Sequence, residues 1–556
     1  MKKSFAFIVL TTVVFATFLV AQKTNVPLEK RWKTVQELAD KQLPESALKE
    51  VESILDQARK EKNSAEVIKA MVYKMRFTLD KNPDEAPALI RDFEVFTEKS
   101  IDPAERALLH SMTADLYAQY YQRDQWTINQ RTEVVGVVPD DMKEWTRNIY
   151  FDKISKHLAA SMENPVVLQQ TDALRFASLL EKGEDSRSLQ PTLFDFLENR
   201  KIQILQQISQ ATSAKNPMKD SRLFDDVASF STLPLDSAFK YSVENQVLET
   251  YQQLLAFRLN SNSIPALLYT DMQRLKYIKE HTEISNPDSL YFAALNRQEK
   301  QFSGNEAVVE VLAEKVDYYL NHTEIKNNNK IAYDICAEGI KRFPSYKRIN
   351  ILKNIQLQIT QKIINISYSE VLKPATSLKV TVQSSNVRML QLQVYRVNAT
   401  AEEYYTFKHN NRNQKVTYSN RTLLATRDIE VKSNQNFGNE KTDVEIKTGD
   451  YGIYEFSLHE KNDSTESERA VGAFTVTDLA YMNRTTEANL GSLYVLDRQS
   501  GQPQKEVGVA LYTNKWAKNG YKIEFSKQLK TDKNGLCQYP FSNDNSNNVF
   551  FFSKGK

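Results

Sequence analysis

The stretch Leu493–Tyr512, LYVLDRQSGQPQKEVGVALY, decides how this chain is divided. Two apolar runs, Leu493–Leu496 and Val507–Tyr512, flank a turn built from Asp497, Ser500, Gly501 and Pro503, the residue types that reverse a backbone at least cost. Locally this is a β-hairpin, with Tyr494, Val507 and Val509 as core candidates and Gly501 and Pro503 as turn chemistry. Tyr521–Phe525 and Val549–Phe552 supply further strands, and Asp532, Asn534 and Gly535 a turn within the same module. A second β module is therefore expected over 488–556.

A first module precedes it over 366–480. In TSLKVTVQSSN, Leu378, Val380 and Val382 alternate with polar residues, and RMLQLQVYRV repeats this with Leu390, Leu392 and Val394. Tyr454, Phe456 and Leu458 continue the pattern, and Phe474 and Val476 close the block. The stretches Asn410–Asn413 and Ser433–Asn439 read as turns between strands. A run of short alternating strands over roughly 115 residues has the size of an antiparallel immunoglobulin-like sandwich.

From 26 to 362 the period changes from two to 3.6. Val51, Ile54, Leu55 and Ala58 recur on one helical face, as do Ile68, Met71, Val72 and Met75. Pro44 suits a first helical position, and in DPAERALL Asp102 is placed as N-cap with Glu105 to answer it. Prolines recur from Pro83 to Pro344 at intervals that admit helices of ordinary length. The expected fold class is therefore multidomain α + β: an all-α region of helical hairpins, resembling a tetratricopeptide-type solenoid, followed by antiparallel β-sandwich domains. No strict period is present, so an irregular helical domain remains the alternative. Such an array is either a concave binding face or a spacer.

At the N-terminus, Lys2 and Lys3 precede an apolar stretch from Phe5 to Ala21, and Gln22 and Lys23 follow. This is the layout of a secretory signal peptide over 1–21. An uncleaved anchor is the alternative, although the stretch is at the short end of the roughly 17 to 25 residues a spanning helix needs. No cysteine follows it, which excludes a lipid-modified N-terminal cysteine. Export permits disulfides, yet the two cysteines, Cys336 and Cys537, fall in a helical and a strand context. Two inert buried thiols are expected.

Composition excludes more than it assigns. Hydrophobic residues at 41% and charged residues at 26% describe a folded chain. The 73 Lys+Arg against 70 Asp+Glu leave +3, too little for a nucleic-acid surface. The six histidines are scattered, with no pair at the i, i+4 spacing of a helical metal site, and HEKND at His459 lacks a second histidine. Nucleophile elbow, phosphate loop and dinucleotide fingerprint are all missing, and 14 glycines leave little material for such loops. No catalytic, cofactor-binding or metal residue is assigned, no cofactor is expected, and the chain is read as a non-enzyme.

Several segments together carry a family resemblance. WKTVQELADKQLPESALKEV, YYQRDQWTINQRTEVVGVVPDDMKEWT, RSLQPTLFDFL, FTVTDLAYM and SLYVLDRQSGQPQKEVGVALYTNKW, in that order after a signal peptide, resemble the N-terminal portion of bacterial alpha-2-macroglobulin-like proteins, particularly those of Bacteroidetes. The passage from FTVTDLA to LYVLDRQSGQP resembles the family's hand-over between macroglobulin-type β domains. The resemblance implies an exported protease trap in the periplasm or cell envelope of a Gram-negative bacterium, with proteases as partners. It implies no nucleic acid and no membrane span after signal cleavage. The family's thioester forms within Cys-Gly-Glu-Gln; here Cys336 is followed by AEG and Cys537 by QYP. Bait region and thioester would then lie beyond Lys556. Four or five strands follow Leu490 where a sandwich needs about seven, so the second domain reads as truncated. The competing readings are an exported scaffold or adhesion protein that binds envelope proteins through its helices, and an unrecognised hydrolase.

Overall fold

Apolar stripes at helical spacing fold the first part of the chain into packed helices. The computed structural model describes residues 26–555 except 133–135, 137, 181–182, 184, 209–215, 262, 413, 432–435, 463–468, 487–489, 518–519 and 541–547. The signal peptide read over 1–21 and the start of the turn at Ser433 lie outside the described residues. The helices are α1 (Val26–Asp40), α2 (Pro44–Lys60), α3 (Ser64–Lys81), α4 (Ala86–Lys99), α5 (Pro103–Ile128), α6 (Arg147–Ala160), α7 (Pro165–Gln170), α8 (Ser186–Leu189), α9 (Leu193–Ile208), α10 (Val227–Ser231), α11 (Val243–Leu259), α12 (Ile264–His281), α13 (Pro287–Gln301), α14 (Val308–Asn321), α15 (Asn328–Arg342) and α16 (Asn350–Thr360). Two compact units result, one up to Lys315 and one from Val316 onward.

In the first unit, Val51, Ile54, Leu55 and Ala58 of α2 are buried against Leu28 and Val35 of α1 and Val67, Ala70, Tyr73 and Phe77 of α3. Pro44 opens α2, where its missing N–H costs nothing. Asp102 caps α5, its Oδ1 accepting the Glu105 N–H at 2.9 Å. Glu105 does not return the bond to Asp102; its carboxylate accepts the Ser100 hydroxyl at 3.0 Å instead. The helices between Ala160 and Ser242 also depart from ordinary length. Apart from α9, they have 6, 4 and 5 residues. Asp226 caps α10, and Asp172, Asp220 and Asp236 each cap a separate 3-10 turn in the same region, their carboxylates accepting N–H groups two or three residues on.

The second unit carries fourteen strands among the described residues: β1 (Ile363–Tyr368), β2 (Val371–Leu372), β3 (Ser377–Ser385), β4 (Met389–Val397), β5 (Arg421–Glu430), β6 (Glu440–Lys447), β7 (Gly452–Glu460), β8 (Arg469–Val476), β9 (Leu479–Thr486), β10 (Leu490–Asp497), β11 (Gly508–Ala517), β12 (Gly520–Lys530), β13 (Leu536–Pro540) and β14 (Asn548–Ser553). One sheet is ordered β1-β3-β6 and a second β2-β8-β7-β4-β5, with antiparallel pairing except between β2 and β8. Leu378, Val380, Val382, Val444 and Ile446 from the first meet Leu390, Leu392, Val394, Phe456 and Phe474 from the second in one core. Alternation turns these side chains inward because successive residues of a strand face opposite sides.

An additional helix, α17 (Ala401–Asn410), lies between β4 and β5, where the sequence suggested only a turn near Asn410. It starts in a capping box: Thr400 Oγ1 accepts the Glu403 N–H at 3.2 Å, and Glu403 accepts the Thr400 N–H at 3.0 Å.

The opening stretch is not a hairpin. β10 joins the sheet β13-β10-β9, whereas β11 joins β12-β11-β14. After Asp497 the chain folds back on itself, Asp497 Oδ1 accepting the Gln499 and Ser500 N–H groups at 3.1 and 2.8 Å. Gln502–Gln504 then runs beside Val495–Asp497 before crossing to the facing sheet. Leu493 and Val495 from one sheet and Val507, Val509 and Leu511 from the crossing segment and the other sheet form the shared core. Tyr494 is not in it. It points to the opposite side of β10 from Leu493 and Val495 and is half-buried.

Gly535 holds the turn before β13 at φ +70°, and a Cβ there would meet the Val495 carbonyl oxygen at 2.5 Å. Gly535→Ala therefore combines left-handed strain of about 1–2 kcal/mol with a backbone clash, and should lower the β-module unfolding midpoint in a thermal melt followed by near-ultraviolet dichroism. An unchanged midpoint would show that the turn relaxes freely.

Candidate functional site

The histidines read as scattered are not all so. α5 and α6 bring His110 and His157, both buried, to an Nδ1···Nδ1 distance of 2.9 Å. Arg106 Nε donates to His110 Nε2 at 3.3 Å, which leaves the proton of a neutral His110 on Nδ1, donating to His157. His157 then carries its proton on Nε2 and faces Glu94 Oε1 at 3.1 Å. The chain of donors runs from Arg106 through His110 and His157 and ends on the accepting Glu94 carboxylate. Lys153 Nζ and the Tyr117 hydroxyl complete the carboxylate at 2.9 and 2.6 Å.

The electrostatics follow from these contacts. The bond from His157 first, then Lys153 and Tyr117, hold Glu94 well below the usual carboxylate range despite its burial. Burial first, and then the neighbouring His157, bring His110 down to about 4. Every imidazole nitrogen of the pair is engaged, so neither offers a lone pair to a metal or a substrate. The cluster is a polar spine joining α4, α5 and α6.

Several other buried charges are paired within the fold. Arg274 of α12, fully buried, donates to Asp271 and to the Leu223 and Asp225 carbonyls. Asp195 pairs with Arg258, and Asp115 with Arg200 at 2.8 Å. In the β unit, Glu455 of β7 accepts from the Tyr404 hydroxyl at 2.9 Å and the Tyr418 N–H at 3.0 Å, tying α17 to the sheet. A cavity of about 310 Å³ in the helical unit is lined by Leu174, Ala177, Leu180, Leu189 and Phe196. Its charged side chains, Asp172 and Arg187, face each other at 3.5 Å.

Cys336 in α15 and Cys537 in β13 are free and buried, and burial raises both thiols, Cys336 to about 11. Neither is a poised nucleophile. His459 sits in β7, not on a helix, with its Nδ1 buried. Among the described residues no group of three or more histidine, cysteine or carboxylate side chains is arranged to hold a metal, and no helix is long and apolar enough to cross a membrane. What the geometry does build is a joint. β8 ends at Val476 and β9 begins at Leu479, so two residues carry the chain from one β module to the next. Asp478 is fixed there by the Arg498 N–H, which donates to its carbonyl at 2.7 Å, and by the Tyr451 hydroxyl.

No family model and no curated protein matches the chain. Its structural neighbours include bacterial alpha-2-macroglobulins. The native Escherichia coli protein, over domains NIE-MG1, is 15% identical, with 35% of this chain and 94% of that one covered at a TM-score of 0.27. The same protein in its native conformation by cryo-electron microscopy is 14% identical at a TM-score of 0.20, and the matched part spans 12% of it. The Salmonella protein reacted with methylamine is 13% identical, with 35% and 17% covered at 0.17.

Proposed function

We propose that the chain is the N-terminal scaffold of an exported, macroglobulin-like endopeptidase inhibitor of the Bacteroidetes type. In this reading the helices are tetratricopeptide-like hairpins over 26–362, and the β modules before and after Thr477–Asp478 are macroglobulin-type sandwiches. The periplasm or cell envelope is the location, after removal of 1–21, and proteases are the partners. The scaffold works by rearrangement and partner binding, with no catalytic, cofactor or metal residue of its own.

The observation that carries this reading is the joint at Thr477–Asp478. Two successive modules, each with facing sheets around one core, are strung on a two-residue link inside the FTVTDLA segment that resembles the family hand-over. The engagement of the His110–His157–Glu94 cluster, in which every imidazole nitrogen is already used, supports a scaffold over a hydrolase.

Sequencing the locus beyond Lys556 tests it. The reading expects the frame to continue into further macroglobulin-type β modules with a Cys-Gly-Glu-Gln segment. A stop with no such continuation would leave the chain without a trap.

A further inference from the structure

β12 stands at the edge of its three-stranded sheet, paired only with β11 among the described strands. The Asn410 carboxamide, at the end of α17, bonds both backbone groups of Tyr521: Nδ2 donates to the carbonyl at 3.0 Å and Oδ1 accepts the N–H at 2.7 Å. Tyr521 therefore turns its backbone groups away from β11. Since the direction alternates along a strand, Ile523 and Phe525 point theirs the same way.

The five residues of that edge, Tyr521-Lys522-Ile523-Glu524-Phe525, are chemically self-complementary. If a second copy is laid antiparallel with the two-fold axis at Ile523, Tyr521 opposes Phe525 of the other copy, Lys522 opposes Glu524, and Ile523 opposes itself. Side-chain faces agree with this register. Tyr521 and Phe525 lie on the face bearing Trp516 and Tyr512, where their rings meet at 4.8 and 5.5 Å. Glu524 lies on the other face, its Oε2 held by Lys515 at 2.6 Å. Opposite-charge and aromatic cross-strand pairs each favour pairing, and outward-facing residues at the axis allow the backbone bonds of an antiparallel ladder.

Exposure fits the same surface: Trp516 is 73% and Phe525 58% exposed. α17 covers the neighbouring part of the face, Tyr405 meeting Phe551 at 5.8 Å and His409 meeting Tyr521 at 5.3 Å. We propose that β12 is a self-pairing edge strand held closed by Asn410, and that release of α17 lets two copies of this chain join through it. Asn410 takes the place of the partner strand at Tyr521, one of the three outward-facing positions the pairing uses. A covered edge of this kind is how folded proteins prevent unscheduled strand addition.

The test is sedimentation velocity on the full chain across a concentration series. The wild-type chain should be monomeric. Asn410→Ala, and the isosteric Asn410→Asp that repels the Tyr521 carbonyl, should self-associate at least about tenfold more tightly with unchanged far-ultraviolet dichroism. Adding K522E to either should abolish the gain by opposing Glu to Glu, and adding E524K as well should restore it. A wild-type dimer broken by K522E, folded Asn410 variants that stay monomeric, or association indifferent to K522E would each overturn the proposal.

Discussion

Arg274→Met should destabilise the helical unit by about 3–5 kcal/mol, the cost of breaking a buried ion pair from one side. Arg274 is fully buried, and its guanidinium is spent on three acceptors. It reaches Asp271 Oδ1 at 2.8 Å, the Leu223 carbonyl at 2.7 Å and the Asp225 carbonyl at 2.9 Å, while lying over the Phe230 ring at 4.2 Å. Methionine fills much of the volume but donates nothing. It leaves two loop carbonyls unpaired and Asp271 with only Gln298 Nε2, at 2.5 Å. The double variant R274M/D271L should recover part of the loss, because it removes the orphaned charge. Urea unfolding followed by ellipticity at 222 nm reads both. A single variant within about 0.5 kcal/mol of wild type would mean that Arg274 is not the peg it looks to be.

Acid should weaken the same unit through His110. The sign follows from its pKa, which burial and the neighbouring His157 lower from 6.5 to about 4, so the folded state holds the neutral ring. Its stabilising contribution is complete above pH 6.5 and is lost as pH falls towards about 4, a total of roughly 3 kcal/mol at 1.36 kcal/mol per pH step. The groups facing it are His157, Glu98, Arg106 and Lys156, and of these only Glu98 favours the added proton. Glu94 stays ionised throughout this window because its donors hold it far below. Asp115 and Glu198, raised by burial, act with the opposite sign: their contribution is lost as pH rises. The difference between wild type and His110→Gln therefore isolates the imidazole. Measured by urea unfolding at steps from pH 7 to pH 4, wild type should lose about 3 kcal/mol more than the variant. Parallel curves would remove His110 as the acid-sensitive group.

What could be read from the sequence was what repeats locally. The stripe Val51, Ile54, Leu55, Ala58 and the alternation Leu378, Val380, Val382 report burial directly, because each period maps onto one face. β5 escaped because, at a sheet edge, it is exposed on both faces, with Leu423 and Leu424 each 52% accessible, and so shows no alternation. α17 escaped because AEEYYTFKHN buries only Tyr404 fully; its signal was the capping box Thr400–Glu403. The stretch at Leu493 misled for a different reason. Apolar, turn, apolar is the same pattern whether the second run pairs with the first or crosses to a facing sheet, and the choice is made by β9, β13, β12 and β14. The histidine pair is likewise tertiary, since 47 residues separate its members. Asp271 and Arg274, three apart on a helix, look in sequence like a solvated surface pair and are buried by segments far away in the chain.

The most direct test uses the protein as its own cell makes it, mixed with a broad-specificity endopeptidase. Residual cleavage is then measured on a large protein and on a short peptide. A scaffold that closes around its attacker should suppress cleavage of the large substrate and leave the short one cut at nearly the original rate. Equal cleavage of both at the uninhibited rate, or turnover of either substrate by the protein alone, would contradict the trap.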